Sequence, residues 1–442
     1  MTKYNTYSLE SNRKIKFNFD GGELSSDSGL LLIKEFVAKI GLINLIKKIF
    51  HTNDTATKRL HTDADNVMQE IYQIISGYFK DDCADELTKE PIMTAILDKE
   101  RLASQPTLSR FWNRMDQQTL DQLNEISQAM RKAVYSIDMP KIMVFDIDTT
   151  LLNAYGKQEG VAFNYHYQSV GYHPFLCFNG INGDLLKAEL RDGTDYCSKG
   201  SGEFMRPLLK EFRDRYPYVE SYLRGDSGFA APELYEVCEE YDCKYAIRLK
   251  ENPKLLEMIK DEDEDLYNAT IYNTINSAST YGEFMYKAGS WTHARRVVFQ
   301  IEKPYGRLDH NYTFVVTTME GPPHQVLQFY RGRGRMENFI KEGKSGFDFS
   351  SVSSSSKIVN ANRLLVHGLA YNIINWFRRL VLEESMRKMR IDAIRLKLMK
   401  IASKVTHTGR YIVFKLCSSC PYKKEFINTL ANIHNLKIQQ LE

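Results

Sequence analysis

No stretch of this 442-residue chain approaches the ~20 consecutive apolar residues that a membrane-spanning helix requires. Its first residues, MTKYNTYSLESNRKIKFNFDGG, lack the apolar centre of a secretory leader. Cysteine is sparse, seven residues scattered over the whole length, which excludes a disulfide-stapled scaffold and suits a reducing compartment. Cys417 and Cys420 make a lone C-x2-C, but no second such pair and no histidine pair stands near it, so a zinc site would lack half its ligands. Cys238 and Cys243 read as core residues. There is no internal repeat, and the one low-complexity run, SSVSSSS at 350–356, reads as a flexible connection. What these absences leave is a cytoplasmic, non-membrane protein long enough for two or three domains.

Charge is distributed unevenly. From Arg331 to the end there are 21 Lys and Arg against 8 Asp and Glu, while the remainder is acidic. Such asymmetry suits a polyanionic partner, although solvated helix faces would produce the same count. Residues 1–135 read as helical, with apolar spacing in SGLLLIKEFVAKIGLINLIKKIF and NVMQEIYQIISGYF. In LASQPTLSRFWNRMDQQTL, Pro106 and Thr107 can open a helix whose apolar face is Leu108, Phe111 and Trp112. That leaves Ser109, Arg110, Asn113 and Arg114 for phosphates or bases, or simply for the surface of a structural helix.

From residue 136 the period changes to that of strands. KIMVFDID, GYHPFLCFNG, DLLKAELR, YVESYLRGD and CKYAIRL read as five strands, with an Asn182–Gly183 hairpin turn and helices at GEFMRPLLKEFRDRY and APELYEVCEEY. The order β-β-β-α-β-α-β over 136–251 predicts an α/β domain. Residues 252–318 read as β-rich. Helices resume in 319–385, and 386–442 is basic.

KIMVFDIDTT places Asp146 and Asp148 on one face of a hydrophobic strand, since side chains alternate with period two. Two like charges there call for positive compensation, most economically a divalent cation. One reading of this strand is a haloacid-dehalogenase-type phosphatase with Asp146 as nucleophile. Against it stand the motif's position far into the chain, the missing second acid after GDSGFAAP, and a β-hairpin where that fold needs a helical crossover.

The competing reading needs two further acids. Asp226 closes the fourth strand in YLRGDSGF, where it can equally serve as a helix N-cap. YRGRGRMENFIKEGK supplies Tyr330, Arg333, Glu337 and Lys344 with the spacing Y-x2-R-x3-E-x6-K. On a helix, Arg333, Glu337 and Lys344 share one face. A salt-bridged surface helix explains that pairing but not a start in RGRGR, whose two glycines weaken helix formation. A metal carboxylate beside phosphate-holding groups explains both.

These residues resemble the Y-R-E-K signature of the DDE transposases of bacterial insertion sequences. Asp148-Thr149-Thr150 looks like their D-T-T motif and Asp226 like their second aspartate. FDGGELSSDSGLLLIKEF, LASQPTLSR, YHPFLCF, RGDSGF and ANRLLVHGLAYNI are similar to the subgroup called transposase DDE domain, group one. The resemblance implies a ribonuclease-H-like catalytic core split over 136–251 and 319–385, a β-rich insertion at 252–318, a helical DNA-binding region at 1–135 and a basic C-terminal region at 386–442.

The same resemblance implies catalytic and metal-holding roles for Asp148, Asp226 and Glu337, with Asp146 as a supporting carboxylate. It also implies Mg2+, with Mn2+ substituting, in a two-metal phosphoryl transfer that cuts inverted-repeat ends and joins them to target DNA, cut-and-paste, through hairpin ends. Tyr330, Arg333 and Lys344 would grip phosphates. Trp291, beside Arg295 and Arg296, would stack on a base, or else be an ordinary core tryptophan. Terminal-repeat and target DNA are the implied partners, with a homodimer in the synapse. A transposase-derived DNA-binding protein that no longer cuts is the non-enzymatic alternative.

Overall fold

Strand β1 (Ile142–Thr149) is buried on both faces from Met143 through Ile147, the mark of a strand in the middle of a covered sheet. The computed structural model that contains it describes residues 6–56, 58–272 and 275–437. Its neighbours are β2 (Phe175–Asn179), β3 (Leu185–Glu189), β4 (Glu220–Gly225) and β5 (Lys244–Leu249). They are joined on the far side of β5 by β6 (Ala278–Tyr286), β7 (Arg295–Lys303) and β8 (Asn311–Thr317). The eight strands form one sheet in the order β6-β7-β8-β5-β4-β1-β2-β3. β4 runs parallel to β1 and β5 parallel to β4; every other neighbouring pair is antiparallel.

The β-rich stretch expected as an insertion adds three strands to the central sheet. β8 pairs with β5 from Ala246↔Thr317 to Leu249↔Phe314, so the valines of β7 and β8 continue the core. Period-two alternation marks a strand but carries no information about which edge it will join.

Two parallel crossovers are helical, as parallel strands require. Helix α1 (Ser201–Arg215) connects β3 to β4, and α2 (Pro232–Glu240), opened by a proline in its first turn, connects β4 to β5. Phe145 of β1 meets Phe212 of α1 edge-on at 5.2 Å, and Phe175 of β2 lies 4.9 Å from Phe204. After β8 come α3 (Pro323–Arg331) and α4 (Gly334–Phe347). Val326 and Leu327 of α3 close over Ala246, Val298 and Val315, and Phe329 and Tyr330 pack against that cluster. The Asn182–Gly183 turn joins β2 to β3, with Gly183 N–H donating to Asn179 O at 2.8 Å. Between β1 and β2 the chain forms a small antiparallel sheet of Leu152–Asn153, Ser169–Tyr172 and Ala162–Asn164.

The chain divides into two compact units, one of residues 139–344 and 349–364, which holds this sheet, and one of the remaining residues. The connection at 350–356 is pinned rather than loose. Ser355 O accepts from Glu159 N–H at 2.9 Å, and Asn360 ties to Ser354 through its side-chain amide at 2.8 and 3.0 Å.

The other unit is helical and combines both ends of the sequence. Strand Leu24–Ser25 pairs with Ser403–His407, which pairs in turn with Ile412–Leu416. The Arg395 guanidinium donates to Ile75 O and Ile74 O at 2.7 and 2.9 Å, at the end of helix Asp63–Ser76. The regions expected separately at 1–135 and 386–442 thus share one unit, and it also takes in residues 365–385. Residues 1–5, 57 and 438–442 of those expected regions lie outside the described residues.

Candidate active site

The parallel register of β1 and β4 sets Arg224 directly beside Asp146. Arg224 donates from Nε and Nη2 to the two Asp146 oxygens at 2.6 and 2.7 Å, and from Nη1 to Phe329 O at 2.8 Å. The pair is buried, with Asp146 at 0% exposure. Two glycines make room for it. A Cβ on Gly180 would collide with both Asp146 and Arg224, and one on Gly332 would collide with Arg224 Nη1. Asp146 is therefore committed to holding β1, β4 and the end of α3 together. A phosphatase reading with Asp146 as nucleophile is overturned on that ground, and the strands that follow β1 are antiparallel, not a helical crossover.

Two residues further along each strand lie Asp148 and, just past the end of β4, Asp226. Period two carries both to the face that Asp146 and Arg224 occupy. Arg333 faces both carboxylates: its Nη2 is 2.8 Å from Asp148 Oδ2 and 3.9 Å from Asp226 Oδ2. Asp226 also does what an N-cap would do, accepting from Gly228 N–H at 2.8 Å. Burial is the main reason the Asp148 carboxyl is pushed up to about 6, and the Asp226 charge adds to it against the pull of Arg333 and the Thr149 N–H. Burial works against the Arg333 charge, yet Asp148 and Asp226 outweigh it and hold the guanidinium above its ordinary value.

The Y-R-E-K residues are distributed differently from a single helical face. Tyr330 lies in the last turn of α3, Arg333 in the break between α3 and α4, and Glu337 and Lys344 on α4. The break falls at Gly332 and Arg333 because Arg224 reaches the last turn of α3, occupying the space a side chain at 332 would need. Lys344, half-buried, donates to Leu151 O at 2.7 Å, and burial lowers its pKa. Burial raises that of Tyr330. Glu337 is exposed and lies 4.0 Å from Lys341. Among the described residues no three His, Cys, Asp or Glu side chains converge closely enough to hold a metal ion. The structure thus joins Asp148, Asp226 and Arg333, and leaves Glu337 outside that group.

Asp148 and Asp226 line a cleft of about 1030 Å3. Trp291 does not line it. Its indole is buried edge-on between Tyr235 and Tyr286, at 5.4 and 5.3 Å, with the Arg295 guanidinium 5.6 Å from the ring. Arg110 belongs to the helical unit. It is exposed on helix Gln105–Trp112 and lines a second cleft of about 500 Å3 together with Lys58, Arg59, His61, Arg101 and Arg114. Arg114 is engaged by Asp63 and Asp54, whereas Leu108, Phe111 and Trp112 form the buried face expected of them.

Arg224 is the site residue that motif reasoning passed over. Its signal was in the sequence: R-x-D at 224–226 repeats the spacing of D-x-D at 146–148, as two strands in parallel register would need.

A paired-aspartate centre at adjacent strand ends, with a cation beside it, defines a class of carboxylate-based active sites. The chain belongs to the family described as transposase DDE domain group 1, whose pattern matches residues 7–438. By family it is a DDE transposase, an enzyme class that generally works with divalent metal ions. Among solved structures it is similar to a piggyBac transposase, seen by cryo-EM in a synaptic complex with hairpin DNA. That similarity amounts to 12% identity and a TM-score of 0.40 over 89% of this chain and 82% of the other. No curated protein matches the chain. No helix among the described residues is long and apolar enough to cross a membrane.

Proposed function

We propose that this chain cuts DNA at the inverted-repeat ends of its own insertion sequence and joins those ends to target DNA, cut-and-paste, at Asp148, Asp226 and Glu337. The observation that carries the reading is the Asp148–Arg333–Asp226 group at the ends of two parallel strands. The core is read as ribonuclease-H-like; the order β3-β2-β1-β4-β5, antiparallel up to β1 and parallel after it, supports this.

The residues suit a hard divalent cation. The donors are carboxylate oxygens at adjacent strand ends, and burial, with the Asp226 charge adding to it, pushes the Asp148 carboxyl up to about 6, a cost that a bound cation would offset. Asp148 and Asp226 would hold the ion from their strand ends. Glu337, exposed in the first turn of α4, is the third ligand of this proposal. When bound, Mg2+, or Mn2+ in its place, supplies charge at the phosphorus and an activated water or 3′-hydroxyl for in-line displacement.

The remaining groups hold DNA. Arg333, freed from the carboxylates, presents a planar pair of donors to a phosphate, and Lys344 offers a single charge. Tyr330, a neutral phenol whose pKa burial raises further, would donate a hydrogen bond. The hairpin route and a homodimeric synapse rest on the Y-R-E-K resemblance. Inverted-repeat duplex taken from the DNA flanking the gene should be cut in Mg2+, and Asp226→Asn should abolish the cut while binding persists. An Asp226→Asn protein that cuts as the parent does refutes the assignment. A wild-type chain that binds the ends and never cuts them is the non-catalytic DNA-binding protein instead.

A further inference from the structure

The cleft lined by Asp148 and Asp226 is also lined by aromatic rings that the chemistry above does not use. Tyr165 is 82% exposed and Tyr196 is 67% exposed, and both line the cleft together with Phe163 and Tyr167. Large aromatic side chains left open to solvent forgo about 1.5–3 kcal/mol of burial each, so a concentration of them in one cleft points to a partner.

The backbone that carries these rings is held in place. Tyr165 lies at the tip of the hairpin joining Ala162–Asn164 to Ser169–Tyr172. Asn164, nearly buried, accepts from His166 N–H and Tyr167 N–H at 3.0 and 3.3 Å and donates to Gly193 O at 3.0 Å, which fixes the tip. Phe163 meets Tyr165 edge-on at 5.2 Å. On the other wall, buried Arg191 donates to Tyr196 O and Lys199 O, both at 3.0 Å. The Tyr167 hydroxyl reaches toward Thr149 O at 3.5 Å, next to Asp148, and burial pushes its pKa up to about 12. Exposed Arg248 and Lys250 bring positive charge to the lining, beside Glu251, while Asp195 is paired with Lys199.

Open aromatic faces on a pinned backbone, with cations in the same cleft, are what unpaired nucleotides bind: every base has a π-face, and the cations meet the phosphates. A paired duplex keeps its bases stacked on one another and cannot offer those faces. We infer that this cleft is a binding site for unpaired nucleotides of the DNA strand that leads into the Asp148–Asp226 centre, with Tyr165 and Tyr196 as the stacking platforms. The inference rests on the proposed transposase function and gives the base-holding role to the hairpin tip instead of Trp291.

The test uses the full chain with chelator present, so that no strand is cut. Two probes share one arbitrary duplex sequence: one is blunt, the other carries a short oligothymidylate tail containing 2-aminopurine. Wild type should bind the tailed probe on the order of tenfold more tightly than the blunt one, with altered 2-aminopurine emission. In Tyr165→Ala and in Tyr196→Ala, the tailed-to-blunt ratio should fall about fivefold or more, and Tyr165→Phe should restore it. Wild type that binds both probes equally, or a Tyr165→Ala protein that keeps the full preference, overturns the inference alone. Wild type that binds neither probe overturns the transposase reading and this inference with it.

Discussion

Arg224 and Asp146 are register partners on adjacent parallel strands, joined by two hydrogen bonds at 2.6 and 2.7 Å in the interior of the sheet. That pair fixes the geometry one step further out, because the residues two positions on are Asp148 and Asp226. The same guanidinium anchors the end of α3 through Phe329 O, from which the chain turns to Arg333.

Removing half of this pair leaves a buried charge uncompensated. Arg224→Met should cost about 3–5 kcal/mol, while Asp146→Asn, which keeps part of the hydrogen bonding, should cost less. Urea unfolding with an unchanged m-value checks both. The loss of activity in Asp146→Asn should follow its loss of folded protein, as befits a residue that holds the scaffold.

Gly332→Ala tests the break between α3 and α4. A methyl group there meets Arg224 Nη1, so overpacking of about 1–3 kcal/mol is expected, together with weakened activity as Arg333 shifts. Gly334, whose Cβ would meet nothing within 4 Å, is the control: Gly334→Ala should leave melting temperature nearly unchanged or raised.

Acid should loosen the packing around Trp291. Burial pushes the Glu239 carboxyl upward, but bonds from Arg295, at 2.7 and 2.9 Å, and from Tyr245 outweigh it, so its pKa lies below the ordinary value. A depressed carboxyl contributes stability that is fully present above its unfolded value and is lost as pH falls through its folded one. Stability against pH, followed by tryptophan fluorescence, should therefore fall on the acid side of the ordinary glutamate range. Glu239→Gln should flatten that fall.

Salt dependence separates the cleft beside Arg110 from the catalytic centre. If the cleft beside Arg110 holds DNA phosphates, Arg110→Ala and Arg101→Ala should each reduce the slope of log affinity against log salt by about one. Asp148→Asn should leave the slope unreduced. Fluorescence anisotropy with end DNA at several salt concentrations provides the comparison.

How far the sequence carried the fold can be judged at particular residues. β1 was legible because its apolar alternation is local, and the Asn182–Gly183 turn because its chemistry is local. The supporting role of Asp146 came only from the family resemblance, and its partner Arg224 was not legible, since it lies 78 positions away and only strand register brings it alongside. The glycines of RGRGR marked a weak helix start, but Arg333 was still read on the helical face with Glu337, because the Arg224 guanidinium that reaches Phe329 O lies 105 positions away. The strands at 278–317 were visible as strands, but their edge partner, β5, was not. Glu337 is where motif and geometry stand furthest apart: its spacing from Arg333 fits the signature, and its side chain is 63% exposed beside Lys341.

The central claim is that Asp148, Asp226 and Glu337 hold one divalent-metal centre. Mn2+ titration followed by electron paramagnetic resonance, on the full chain with uncleavable end DNA, tests it most directly. Wild type should take up Mn2+ with a spectrum distinct from the free ion, and Asp148→Asn, Asp226→Asn and Glu337→Gln should each weaken uptake by about tenfold or more. A Glu337→Gln protein that binds Mn2+ as the parent does would contradict the three-carboxylate centre and leave only the aspartate pair.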